Sequence, residues 1–151
     1  MKKLKEIIDR ALLSTIVIFM ALLVLVVTWQ VISRFVLQDP SSFTDELSRY
    51  LMIWVALLGA AYMVGQNEHI AIDLLFPVEK YPGKEKLIFL LIFGFALVVL
   101  IIGGIRLVYL TLSLGQLSAS LLIPLGYIYL VVPLSGLLIS FYCFERILPN
   151  K

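Results

Sequence analysis

Charge is what this chain has least of. Aspartate, glutamate, lysine and arginine make up 15% of its 151 residues against 62% hydrophobic residues, where a globular domain is roughly a quarter charged. A water-soluble fold of this length cannot hide so much apolar surface, and the mean hydropathy of +1.05 belongs to a chain embedded in a bilayer. Cysteine is as scarce. Cys143 stands alone, which excludes an intramolecular disulfide, a CxxC redox pair and a membrane dithiol oxidoreductase. His69 is the one histidine, which excludes bis-histidine haem ligation. The net charge of +2 comes from lysines beside apolar runs, so it speaks of orientation in a membrane. No interleaving of basic and aromatic residues suggests a nucleic-acid partner.

What is present is a set of long uncharged stretches. Ala11 to Ser33 carries no charge, and at ~1.5 Å per residue such a run exceeds the ~30 Å hydrocarbon core. It is too long for the apolar region of a secretory signal, and Arg34 follows it in place of a small-residue cleavage site, so it is expected to remain as an anchor. Tyr50 to Asn67 and Leu87 to Ile105 form the second and third runs. After Arg106 the chain is uncharged as far as Phe144, too long for one span. Counting ~20 residues back from Glu145 reaches Pro124, where proline suits a helix's first turn because its missing N–H would have no partner there. Residues 107–123 mix apolar residues with Ser, Thr, Gly and Gln, and are read as an extension of the third span followed by a short turn. The expected architecture is an all-α integral membrane protein, one membrane domain over 1–151. Its four transmembrane helices fall at about 11–36, 46–66, 87–112 and 124–145, the second with a short amphipathic start.

Lys2, Lys3, Lys5 and Arg10 precede the first span, Lys80, Lys84 and Lys86 lie between the second and third, and Arg146 and Lys151 follow the fourth. Alternation places these nine of the twelve basic residues on one side, which the positive-inside rule makes cytoplasmic, with both termini inside. The loop from Gln38 to Ser48 and the turn near Gly115 then face outward. No carboxylate sits at the centre of a span, and no inverted pair of interrupted spans marks a transport site. These absences count against a small proton-coupled exporter, and with no extramembrane domain in view an enzyme is not expected.

Several residues stand out. Ser41 and Ser42 ahead of Asp45 and Glu46 read as a helix start, with a hydroxyl cap and acidic side chains at the positive end of the dipole. The same carboxylates are candidates for partner contact. Asp45 and Arg49 are i,i+4 neighbours suited to an ion pair. Arg34, Arg49 and Arg106 fall at one membrane level with Asp39, Asp45 and Glu46, a charge-balanced belt fit to join helices or hold an adjacent subunit. A near-membrane guanidinium such as Arg106 needs either a protein partner or a phosphate headgroup. Trp29, Trp54, Tyr50 and Tyr81 lie where membrane edges are expected and read as interfacial anchors. His69 and Asp73 share one turn if the segment is helical, but two ligands are too few for a metal. They read as a pair setting the cytoplasmic turn, and neither a metal nor a cofactor is expected.

The stretch from Arg34 to Asp73 resembles the small membrane subunit, the Q or DctQ-like protein, of tripartite ATP-independent periplasmic (TRAP) transporters. Arg34 stands ahead of a short outward loop, followed by Phe43, Glu46, Leu47, Arg49 and Tyr50, then Trp54, Gly59 and Ala60, then His69, Ile70 and Asp73. The resemblance implies an accessory subunit in a bacterial inner membrane, here a polypeptide separate from its large partner. That partner, M, would carry the sodium and substrate sites, a periplasmic protein, P, would deliver an organic acid, and Q would brace the scaffold of M. Within the family's range the solute is a carboxylate, with sialic acid placed ahead of C4-dicarboxylates. On this view Arg34, Asp45, Glu46, Arg49, Trp54 and Arg106 are the candidate partner-facing residues, with lipid as the remaining neighbour. The rival expectation is a four-helix transporter or channel that assembles from copies of itself.

Overall fold

The computed structural model describes residues 2–39, 41–66 and 84–147. Its elements are α1 (Lys2–Phe35), α2 (Ser42–Gln66), α3 (Lys84–Phe95), a π-helical stretch (Ala96–Gly103), α4 (Gly104–Ser113), α5 (Leu125–Tyr129) and α6 (Val131–Ile147). No strand occurs among the described residues; Leu117 and Pro124 form an isolated antiparallel bridge. Four rods are long and apolar enough to cross a bilayer: Lys5–Phe35, Ser42–Gln66, Leu87–Ser113 and Leu125–Glu145. The all-helical, four-span architecture expected from the uncharged runs is the one observed.

Local chemistry accounts for the boundaries. Ser41 Oγ accepts the Thr44 N–H at 3.4 Å and the Ser41 carbonyl accepts from Thr44 Oγ at 3.0 Å, so the hydroxyl cap read from the sequence starts α2. Pro124 is not in a helix's first turn but one residue before it, with φ −58° and ψ 122°. Its ring fits the φ, while the extended ψ keeps it in the chain reversal that precedes α5. Within the fourth rod the ladder lapses at Leu130, although Leu130 keeps helical angles (φ −56°, ψ −25°). Three residues later Pro133 has no N–H to offer the Tyr129 carbonyl.

The rods pack in the order α1, α2, α6, then α3 with its π stretch. Close approach is arranged by small residues. A Cβ on Gly65 of α2 would meet the Tyr142 ring at 2.8 Å, and one on Gly136 of α6 would meet Leu100 and Ile101 of the π stretch at 2.8 and 2.9 Å. The apolar core gathers Leu12, Ala61, Val64, Phe89, Ala96, Ile139, Tyr142 and Cys143. These lie in the half where α1 begins and α6 finishes, hereafter the terminal end. Polar side chains close it: Tyr142 donates its hydroxyl hydrogen to Asp9 at 2.5 Å, Gln66 Nε2 donates to the other Asp9 oxygen at 3.3 Å, and Lys5 approaches Glu145 at 3.9 Å. Apart from this seam, α1 and the third rod turn most of their large apolar side chains outward, the arrangement suited to lipid or to another membrane protein.

Candidate functional site

At the opposite, belt end the chain reverses between α4 and α5. Gly115 takes φ +61° and Leu122 φ +54°, the left-handed region that glycine enters freely and leucine at a cost. Leu122 is held there by donating its N–H to the Ser118 carbonyl at 3.2 Å, while Ser118 donates its own to the Ile123 carbonyl at 2.9 Å. The tight turn points three successive amides, Ala119, Ser120 and Leu121, toward one spot.

The carboxylate of Glu46 occupies that spot. It accepts the N–H of Ala119 at 3.0 Å, of Ser120 at 2.7 Å and of Leu121 at 3.2 Å, and the Tyr50 hydroxyl at 2.7 Å. Such a concave run of amides is an anion cradle, here filled by the protein's own side chain. Glu46 therefore anchors the turn between the third and fourth rods to the first turns of α2. Among the described residues no arginine shares this carboxylate.

Asp45, the preceding residue, faces the other way. Its carboxylate accepts Gln30 Nε2 of α1 at 2.6 Å and pairs with the Arg49 guanidinium one turn later, so the expected i,i+4 ion pair forms. Trp54 is half-buried and donates its indole N–H to the Ile128 carbonyl at 3.0 Å, with Phe19 of α1 edge-on at 5.8 Å. That bond falls at α5, just before the lapse in the fourth rod.

The structure brings four of the candidate residues together. Arg34, Asp45, Glu46 and Arg49 border one open cavity of about 470 Å³. Trp54 lies further along α2, outside it. Arg106 is on α4, exposed and apart from the cavity. Among the described residues neither Arg34 nor Arg106 has an ion pair, so the belt's charges are not matched arginine to carboxylate across the helices. His69 and Asp73 lie outside the described residues. No cluster of three metal-ligating side chains occurs among the residues described.

Sequence reasoning passed over the amides of 119–121, Gln30, and the Asp9–Tyr142–Gln66 seam. A backbone cradle has no residue signature. Gln30 and Asp9 did carry one, a polar residue inside or beside an otherwise apolar run, which calls for a partner.

Comparison with known proteins follows the same lines. Residues 23–150 match the family described as tripartite ATP-independent periplasmic transporters, DctQ component. A Haemophilus influenzae protein provisionally described as a TRAP transporter small permease protein is 29% identical over 151 residues, covering 98% of this chain and 92% of that one. The sialic acid TRAP transporter small permease protein SiaQ of Vibrio cholerae is 30% identical over 142 residues, covering 87% and 81% respectively.

Proposed function

The chain belongs to the DctQ component family of tripartite ATP-independent periplasmic transporters, and from that premise we propose that it works as the small subunit bracing a large M subunit. In this role it takes up no solute itself. It holds the scaffold of M while M moves solute and sodium, and it supports docking of the periplasmic substrate-binding protein P. The membrane is the bacterial inner membrane, with both chain termini cytoplasmic and the belt end outside. The solute is an organic acid, and the likeness to SiaQ favours sialic acid over a dicarboxylate.

One observation supports the bracing role beyond family membership. Arg106 stands exposed on α4 without an ion pair among the described residues, between Ile105 and Tyr109, which are also exposed. Seven residues separate it from Ser113, about 10 Å along the rod at ~1.5 Å per residue. A guanidinium that deep, on an apolar face, calls for an anionic or carbonyl partner from a neighbouring protein. The partner-facing set then divides. Arg106 and Arg34 present charge that is unpaired among the described residues, Arg49 is held by Asp45, and Glu46 and Trp54 hold the surface in shape.

The test is co-purification in mild detergent with the M and P proteins, followed by uptake in liposomes. Uptake is expected only with all three, and Arg106→Ala should lower recovery of the complex while Lys3→Ala does not. Uptake by this chain alone would instead establish a self-sufficient four-helix transporter. For orientation, an impermeant thiol reagent added outside should label a cysteine placed at Ser41 and not one at Lys84. The reverse pattern would invert the map.

A further inference from the structure

We propose that the cavity at the belt end binds a phosphate group, and that the phosphate belongs to an anionic glycerophospholipid. Counting which charges are already engaged leads there. Two carboxylates and two arginines border the cavity, so it is neutral by composition. Glu46, however, is engaged by three backbone amides and the Tyr50 hydroxyl, and Asp45 by Arg49 and Gln30. Arg34 enters the cavity with neither an ion pair nor a hydrogen bond among the described residues. Arg34 is thus the one cation lining the cavity that has no anionic partner among the described residues, beside a Glu46 carboxylate whose charge is already spread over neutral donors.

Ser42 and Ser120 line the same space. A planar guanidinium fork with serines nearby suits the several acceptor oxygens of a phosphate diester. Because Glu46 fills the backbone cradle, the ligand's anion has Arg34 as its main contact.

Depth and surroundings identify the source of the phosphate. Arg34 ends a run of 23 residues, Ala11 to Ser33, without a charge, so it sits at the hydrocarbon edge, where lipid phosphates lie. The next residue, Phe35, is 73% exposed, and Phe43, the neighbour of Ser42, is 51% exposed. A soluble phosphate has no use for exposed rings beside its binding group. A molecule whose phosphate continues into acyl chains covers both.

The inference needs neither the large subunit nor the identity of the solute, so it is tested on the full chain alone in detergent. After delipidation the protein is titrated with phosphatidylglycerol and the retained lipid is counted by native mass spectrometry. One saturable lipid is expected, with Arg34→Gln weakening it about tenfold, the usual scale for losing a charge-assisted phosphate contact. Arg34→Lys should retain more lipid than Arg34→Gln, and Lys3→Gln, at the terminal end, should match the natural chain. Since Arg34 makes no hydrogen bond or ion pair among the described residues, Arg34→Gln should melt at the unaltered temperature, which separates lost binding from lost fold. Equal retention by Arg34→Gln and the natural chain overturns the site and leaves Arg34 to a protein partner. Displacement of the lipid by millimolar glycerol 3-phosphate would assign the site to free phosphate and overturn the lipid.

Discussion

At the terminal end the rods are closed by side chains packed on one another, whereas at the belt end the turn between the third and fourth rods is held by a side chain on a backbone. Tyr142 lies against Gly65 and reaches Asp9, so three helices close over a ring and a carboxylate set in an apolar core. At the belt end no comparable core cluster forms among the described residues. Glu46 instead gathers the amides of a turn more than seventy residues further along the chain. The first solution depends on volume and resists change through packing. The second depends on one charge and leaves the surrounding surface open.

The largest effect should come from removing the ring. Tyr142 is 1% exposed, and Tyr142→Ala should cost about 3 kcal/mol or more through the cavity it leaves, read as a fall in thermal midpoint in detergent. Tyr142→Phe keeps the volume, loses the bond to Asp9, and should cost only about 1 kcal/mol. If the two variants were equal, packing would not be what closes this end.

Glu46→Ala should act next, and locally. With the Ala119 and Ser120 amides and a phenol left without their acceptor, and Leu121 left with Ser118 Oγ alone at 3.3 Å, hydrogen exchange at 119–120 should accelerate about tenfold or more, while amides around Ile139 keep their protection. Uniform acceleration in both halves would erase the distinction between the two ends. Trp54→Phe removes one N–H donor to a carbonyl beside the lapse in the fourth rod, for about 1 kcal/mol. Smallest is Arg49→Ala. Its pair with Asp45 is exposed on both sides, so the fold should lose ~0–1 kcal/mol. A loss of complex with M after Arg49→Ala, at unchanged stability, would place Arg49 at the interface.

How far these ends can be read from the sequence differs in the same way. The uncharged runs 11–33, 50–67 and 87–105 and the second half of 107–144 mark out four helices, because a bilayer punishes charge along every turn. The serine cap and the Asp45–Arg49 pair are local in sequence and therefore legible. Glu46 is legible as a residue of interest but not in its role, since its partners are amides that any residue type supplies once the chain reverses at Gly115 and Leu122. Tyr142 and Asp9, 133 positions apart, meet only because Gly65 lets the ring through. Such a meeting is a property of three helices together and is written in none of them singly.

The π stretch in the third rod has a consequence in genetic terms. Its i→i+5 bonding already accommodates a wider turn than the α-helix on either side, so it is where the span best absorbs a lost or gained codon. Removing one residue between Ala96 and Gly103 would leave a rod of 26 from the present 27 residues of Leu87–Ser113, still above the ~20 needed to cross. Because the stretch can tighten to an α-helix as it loses the residue, the helix beyond it, with Arg106, keeps its direction. In-frame loss of a single codon within these eight positions should thus preserve both insertion and the direction of Arg106, a tolerance that the α-helical turns on either side do not share.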